Sequence, residues 1–476
     1  MTWLAGVVAK HAGSRRTVFY DQTRQITGEQ LIGKAAHAAD LLVGAGAAEG
    51  TSVPALLTTN ADAVAGLLGG AACARPLELL GPRLAIDELA RIVVASGSPI
   101  LLTESRFAEA ARALAQQTGV RILEIPELRV SSSPLPITSA QNTAFVLHTA
   151  GTTGTPKQVA FTESVLSARA RILIELMGFD SISVFATGSP IHHIGGLGNL
   201  LAVIAAGGAG VAGTSFDIAW WIDLRRAGVT HTLLVPAMIE MLLAAGTLTE
   251  VPLRALIYGA APMRPVTLGH IMRLMPEVSL FNLYGQTEGS PIACLDAEDH
   301  RRALSQPALL DSVGRAVPGV DLQIHGADRT GVGEVCAAAA HLSIMSDDGW
   351  LHTGDIGEVD AEGYLRLRGR RHDMLVRGGE NVYPVDVENV LAQHPQVRSV
   401  GIIGVPDDRL GETVAAFIVA ADPENPPDPT DLRSWSRSRM SGYKVPAHWH
   451  FIDELPRNAG GKLLRRQLKT LHNELR

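Results

Sequence analysis

The stretch His148-Thr-Ala-Gly-Thr-Thr-Gly-Thr-Pro-Lys-Gln-Val159 decides how the rest of the chain is read. A β-type run, Thr143-Ala-Phe-Val-Leu-His148, leads into it. Four Thr, two Gly, a Pro and a Lys follow, with almost no apolar bulk. Glycine lets backbone N–H groups approach a bound group, hydroxyls and amides donate, and Lys157 adds a point charge. Such a loop suits a polyanion, most simply a nucleotide triphosphate. A Gly/Thr surface loop is the bland alternative on composition alone. The Walker pattern is excluded. It needs Gly-Lys-Ser/Thr opening a helix, whereas Pro156 precedes this lysine and Gln158 follows it. Proline removes a donor and holds Thr155 extended, so the loop is expected to lie over phosphates as a flap.

A chain of 476 residues, 46% of them hydrophobic, exceeds one ordinary core and should divide into domains. Its net charge of −7 argues against an electrostatic nucleic-acid binder. Of 41 basic residues only Lys10, Lys34, Lys157, Lys444, Lys462 and Lys469 are lysines, so a lysine inside a motif is informative. Cys73, Cys294 and Cys336 are far apart in sequence and suggest no disulfide or metal pattern, which fits a reducing compartment. The apolar tract within residues 1–13 is too short for a signal sequence or a membrane span. The expectation is a soluble, cytoplasmic protein.

Along the chain, helical stretches alternate with short apolar runs, which implies parallel sheets covered by helices. Residues 28–43 and 61–74 read as helices, and 52–57 and 99–103 as strands. Thr162 is placed to cap a helix running to Met177. Residues 184–187 read as a strand, and 197–206 and 216–227 as helices, the latter stopped by Gly228. A strand at 230–235 leads into a helix to Ala245. Strands at 255–258 and 280–284 each run into a Gly-rich turn. Ligands in such sheets sit beyond strand carboxyl ends. Residues 311–338 read as β-rich, and 357–367 as a hairpin around Asp360-Ala-Glu-Gly363. A compact α+β unit follows, with strands at 399–405, 413–419 and 449–452 and helices at 385–393 and 431–440.

Chemistry concentrates at the strand ends. Ser189-Pro-Ile-His-His-Ile-Gly-Gly196 holds two adjacent histidines that invite a metal. Neighbours on an extended chain point to opposite sides and no third ligand is close in sequence, so histidines satisfied by loop hydrogen bonds are the better reading. In Asn282-Leu-Tyr-Gly-Gln-Thr-Glu288, Tyr284 offers an aromatic face to a base and Gly285 lets backbone approach. Thr287 can bond a phosphate oxygen, and Glu288 can hold Mg²⁺ among oxygen ligands. Asp355, ending Asp348-Gly-Trp-Leu-His-Thr-Gly-Asp355, can accept from two ribose hydroxyls at once; capping a turn is its plain alternative. Lys462 alone reads as a solvated residue before a basic helix.

In this order the motifs resemble those of the adenylate-forming (ANL) superfamily, which holds acyl-CoA ligases, luciferases and peptide-synthetase adenylation domains. The resemblance runs from 143 to 468 and is to the acyl-CoA ligase branch. It implies that Thr149, Gly151, Thr152, Thr153, Gly154 and Lys157 hold phosphates. Gly259, Ala260, Ala261 and Pro262 would support the adenine, with Asn282, Tyr284, Gly285 and Gln286 beside it. Asp355 and Arg370 would bind ribose. The acyl pocket would be lined by His193, Gly195, Gly196, Tyr258, Gly259 and Gly285. No aspartate stands near to hold an amine, which argues against an α-amino acid. Lys462 would be the catalytic lysine, assisted by Glu288, Thr287 and Lys157, with Glu288 the metal ligand. Gly378, Gly379 and Tyr443 would line a coenzyme A tunnel.

The implied fold is α/β. A large N-terminal domain, 1–371, would hold two packed α/β sheets and a β-rich subdomain. A small mobile α+β C-terminal domain, 372–476, would act as a lid hinged at His372. The implied activity is an ATP-dependent acyl-CoA ligase using ATP, Mg²⁺ and coenzyme A. An acyl-AMP ligase loading a carrier protein is the alternative, and a non-catalytic nucleotide-binding protein a remote one. Monomer and homodimer stay open. Four features depart from the family pattern: Ala150 for Ser or Thr, Gln158 for Gly, His372 at the hinge, and a short 335–349 segment. With no fixed cation visible in the pocket motifs, an uncharged or bulky acyl group is expected.

Overall fold

The computed structural model describes residues 2–21, 24–125, 127–137, 139–149, 157–213, 215–457 and 463–475. Six strands form the first sheet, in the order Arg121–Glu124, Ile100–Thr103, Val53–Leu56, Leu77–Leu79, Thr143–Thr149, Lys157–Thr162. All its neighbours are parallel except the last pair, which is antiparallel. The second sheet has nine strands. Its parallel centre runs Ser279–Tyr284, Ala255–Gly259, His231–Leu234, Val184–Thr187, Ala209–Ala212, Thr17–Asp21.

Two apolar helices mark the layer between these sheets. Ala61–Ala72 buries every residue but Asp62, and Ile194–Ala206 buries all but Gly195 and Ala205. A helix apolar all round has no solvent face to offer. Small residues let these helices pack closely: a Cβ on Gly69 would lie 2.4 Å from the Ala35 carbonyl oxygen on the helix Gly28–Gly44. The largest hydrophobic cluster takes side chains from both sheets, including Phe19, Phe145, Phe161, Phe185 and Leu200.

Asp321–His325, Gly333–Ala338, Leu351–Val359 and Leu365–Arg370 make a four-stranded antiparallel sheet. The C-terminal unit is a five-stranded sheet built on the ribbon Val397–Asp407 and Gly411–Ala420, with helices Pro384–Leu391, Pro429–Arg437 and Arg465–Glu474. This is the α/β architecture read from the sequence.

Helix Glu163–Met177 begins after Thr162, whose hydroxyl accepts from the Val165 N–H, and stops at left-handed Gly178. Two N-terminal features differ from the reading. Residues 3–11 form a helix, and Thr17–Asp21 crosses over to pair with Ala209–Ala212 in the second sheet. That pairing joins residues nearly two hundred positions apart, and no local pattern encodes it. No described helix is long and apolar enough to cross a membrane.

Candidate active site

Two paired antiparallel strands flank the phosphate stretch. Thr149 and Lys157 are register partners at the ends of Thr143–Thr149 and Lys157–Thr162. Gly151, Thr152, Thr153 and Gly154, with the departure Ala150, lie outside the described residues, as does Lys462. Lys157 is exposed at the hairpin mouth. The unusual Gln158 has a structural role beneath it. Its Nε2 donates to Glu78 Oε1 at 2.6 Å, and Ser52 Oγ donates to Oε2 at 2.7 Å. Glu78 is wholly buried. His148 Nε2 is 2.9 Å from the same Oε1, without the alignment of a hydrogen bond.

The hairpin meets the second sheet through Thr149, whose hydroxyl donates to Glu288 Oε1 at 3.3 Å. Glu288 and Thr287 sit on a tight turn closed by paired Gln286 and Gly289 backbone bonds. A Cβ on Gly285 would lie 2.7 Å from the Gly289 carbonyl oxygen, so only glycine fits. Oxygen donors gathered beside one carboxylate suit Mg²⁺, which takes one or two carboxylates and completes its shell with phosphates and water. Glu288, with Thr149 and Thr287 near it, fits that ion.

Asn282 stands opposite Tyr258 on adjacent strands, and the chain then delivers Tyr284 to the four-stranded sheet. Tyr284 Oη donates to Asp355 Oδ2 at 2.8 Å, and Arg370 Nε lies 2.7 Å from Oδ1. Burial, then the Asp355 charge, pushes the Tyr284 phenol well above its usual pKa, so it stays a donor. A bulge aims Asp355. Between Cys336↔His352 and Glu334↔Ile356, strand 351–359 carries two extra residues, and Gly354 takes φ 70°. Glu334 Oε1 accepts the Gly354 N–H at 3.2 Å, and Thr353 Oγ1 accepts the Asp355 N–H at 3.0 Å. Gln286 Nε2 reaches the Thr353 carbonyl at 3.4 Å.

The turn after Ala255–Gly259 is sterically tight. A Cβ on Gly259 would stand 2.4 Å from the Leu283 carbonyl oxygen, and Ala260 adopts φ 64°. A left-handed alanine costs roughly 1–2 kcal/mol and points to a loop held in shape by its surroundings. Ala261 and Pro262 follow at the same strand end. Tyr258 corrects the reading. It is not a pocket residue: its ring lies in the core cluster with Leu234, Ile239 and Leu268, and its Oη pairs with His300 Nε2 at 2.8 Å. Alternation along the strand turns it away from Gly259.

His193 precedes helix Ile194–Ala206. Its ring centroid is 4.4 Å from that of His192. The segment is a turn and not an extended strand, so the two rings lie side by side and not on opposite faces. Burial pulls the pKa of His192 down to about 3 and lowers that of His193, which keeps both neutral. Among the described residues no metal-type cluster forms there. Gly196 is obligatory, since a Cβ would meet Thr187 Oγ1 at 2.5 Å, while a Cβ on Gly195 would have only Leu233 near, at 3.9 Å.

One residue escaped the sequence reading. Arg169 on helix Glu163–Met177 is buried against Gly198, where a Cβ would stand 2.7 Å from its Nε. Gly198 is one helical turn beyond Gly195. The Arg169 Nε has no acceptor, and among the described residues no carboxylate pairs with the guanidinium. Burial alone pulls its pKa down to about 9. The helix also carries Glu163, Arg171 and Glu175, so no local signal set Arg169 apart.

In the C-terminal unit, Gly378 and Gly379 form the two-residue turn between Leu375–Arg377 and Glu380–Val382, with φ 61° and 89°. Two positive φ values suit this hairpin turn in its own right. The Tyr443 carbonyl accepts from Arg377 Nη1 at 2.7 Å. His372 lies in a turn in which the Asp373 and Met374 N–H groups both return to the Arg370 carbonyl. Arg465 Nε reaches Asp373 Oδ2 at 3.2 Å, and its Nη1 donates to the Ile402 carbonyl at 2.8 Å and to Glu388. Arg457 and Leu463 bridge across the base of the segment that holds Lys462.

The sequence profile of AMP-binding enzymes matches residues 7–345, and that of the AMP-binding enzyme C-terminal domain matches 386–462. The chain belongs to the adenylate-forming superfamily, in its acyl-CoA ligase branch. It is 34% identical to the fatty acid–[acyl-carrier-protein] ligase ScoC of Streptomyces coeruleorubidus, over 94% of this chain and 91% of that one. It is 30% identical to an indoleacetate–CoA ligase of Aromatoleum aromaticum, over 98% and 97%. The amide bond synthetase McbA of Marinactinospora thermotolerans superposes with a TM-score of 0.87 at 27% identity, over 99% of both chains. The chain is thus an adenylate-forming ligase.

Proposed function

We propose that this enzyme activates a carboxylic acid as acyl-AMP and passes the acyl group to the thiol of coenzyme A. The observation that supports this reading is the meeting of three motifs distant in sequence: Thr149 touches Glu288, and Tyr284 touches Asp355. A carboxylate oxygen attacks the α-phosphorus of ATP and pyrophosphate leaves. The thiol sulfur then attacks the acyl carbon, AMP leaves, and the thiol proton goes to solvent. The first step needs in-line placement and neutralised phosphate charge more than covalent help. Lys157, Thr152, Thr153, Thr287 and Lys462 supply donors and charge. Glu288 would hold Mg²⁺, which neutralises phosphate charge when bound. Asp355 takes the ribose hydroxyls, with Arg370 released towards ribose or phosphate.

The second step requires Lys462 to withdraw and a thiol path to open beside Gly378, Gly379 and Tyr443. We place the boundary between 1–371 and 372–476, with His372 as the pivot. The relatives named above use three acceptors, a carrier protein, coenzyme A and an amine, and their names share only the activation of an acid. A carrier-protein pantetheine is therefore the second reading, favoured by ScoC.

Arg169 revises the expected substrate. A buried guanidinium without a counter-charge beside the acyl pocket favours an acid that carries a second anionic group at its far end. Pyrophosphate release should be measured with matched mono- and dicarboxylic acids, with and without coenzyme A. Preference for the diacid should fall about tenfold or more in Arg169→Met, given about 1.5–3 kcal/mol for a charged hydrogen bond. No release with any acid overturns the ligase. Equal use of mono- and diacids overturns only the anionic tail.

A further inference from the structure

Cys336 does not stand alone, although the sequence reading found no metal pattern for it. Glu334 and Cys336 are two apart on strand Gly333–Ala338 and so share a face. His325 is the register partner of Glu334, and His352 that of Cys336. Four metal-type side chains from three strands therefore project from one patch of the sheet. The ligand atoms of His325, Cys336 and His352 all lie within 4.8 Å of one another.

We propose that His325, Cys336 and His352, completed by Glu334, form a site for zinc or a similar borderline-soft divalent cation. The spacing fits a tetrahedral ion. With Zn–S near 2.3 Å and Zn–N near 2.0–2.1 Å, sulfur and nitrogen ligands stand about 3.6 Å apart. Cys336 Sγ and His352 Nδ1 are 3.4 Å apart, and Glu334 Oε2 is 3.4 Å from the same Nδ1. The other face of that ring is already oriented: His352 Nε2 lies 2.9 Å from Asp348 Oδ2. A carboxylate behind a ligating imidazole fixes its tautomer and raises its basicity. Thiolate and imidazole select against Mg²⁺, which prefers oxygen, so this site does not compete for the ion at Glu288.

The site is joined to the nucleotide end of the same sheet. Glu334 Oε2 is also 3.2 Å from Arg371 Nη1, and Glu334 Oε1 holds the Gly354 N–H of the Asp355 bulge. A cation that takes Oε2 draws it away from Arg371, the residue before His372.

The full chain, stripped with a chelator, should be titrated with Co²⁺ and then with Zn²⁺ against a chromophoric competitor, in excess Mg²⁺. The expected result is one tight equivalent and a thiolate-to-cobalt charge-transfer band. Cys336→Ser should abolish the band. Asp348→Asn, which removes no ligand, should weaken zinc binding by about 10- to 100-fold. Should Cys336→Ser fail to fold, His325→Asn serves, with loss of the tight equivalent expected. Absence of a charge-transfer band in the wild type, or zinc affinity unchanged in Cys336→Ser or His325→Asn, overturns the proposal.

Discussion

Asp355 and Arg370 are partners across two antiparallel strands, and their side chains close on each other with Nε 2.7 Å from Oδ1. Tyr284 holds the second carboxylate oxygen. Both oxygens are thus held in fixed positions, as the proposed grip on two ribose hydroxyls requires. Asp355→Ala should raise KM for ATP by about tenfold to 150-fold, from about 1.5–3 kcal/mol for a lost charged partner. KM for the acid should change far less. Steady-state kinetics in each substrate check this, and an unchanged ATP KM removes Asp355 from the nucleotide site.

Gln158 departs from the glycine usual in the family, and the structure makes it the partner of a fully buried carboxylate. Gln158→Ala should therefore destabilise by about 1–3 kcal/mol, the cost of stranding a buried acceptor. Gln158→Gly, the family residue, should cost about 0.5–1 kcal/mol more through backbone freedom. Urea midpoints of the three proteins decide it. A glycine variant as stable as wild type would show that Glu78 is satisfied without Gln158.

Buried histidines shape the acid limb of stability. Burial holds His11, His192, His193, His231, His300 and His341 below the usual imidazole pKa of about 6.5, His231 at about 4 and His192 at about 3. The unfolded chain binds these protons first, so the contribution of these groups is fully present above about pH 6.5 and is lost as the pH drops through the folded values. Each group contributes up to about 1.4 kcal/mol per pH unit inside its window. Unfolding near pH 5 should take up several protons. Calorimetry in buffers of different ionisation enthalpy measures that uptake, and none at all would contradict the burial of these rings.

Lys462 and His372 should separate the two half-reactions. Lys462→Ala should lose about 10²- to 10³-fold in adenylation, yet form thioester from supplied acyl-AMP and coenzyme A near the normal rate. His372→Pro puts proline third in the turn that begins at Arg370, where it disfavours the helical conformation of Arg371. That variant should keep one half-reaction and lose the other. Gly379 is a poor probe of the thiol path, because φ 89° strains any bulky replacement whatever passes beside it. Equal losses in both halves for both variants would remove the two-conformation mechanism.

Elements whose cause is local were legible. Thr162 and Gly178 bracket one helix, Gly228 ends another segment, and the parallel strands announced themselves as apolar runs before glycine turns. Features made by register were not. Glu78 meets Gln158 only once two strands are paired, and His325, Cys336 and His352 converge only across three strands. Tyr258 failed for a related reason: a motif gives proximity in sequence, while the parity of the strand chooses the face. Arg169 is one of four charged residues on its helix, and its burial without a carboxylate partner among the described residues is a property of the packed molecule.

Arg465 carries a mechanical consequence. It lies just past Lys462 and is bound to Asp373, the residue after His372, and to Glu388 and the Ile402 carbonyl. The bridge between Arg457 and Leu463 closes the base of the lysine segment onto the same body. With the proposed pivot at residue 372, a rotation there would work as a crank. Arg457 and Leu463, the flanks of the lysine segment, then share one body with Asp373 and turn with it. Loss of the Arg465 contacts would loosen how those flanks follow the turn.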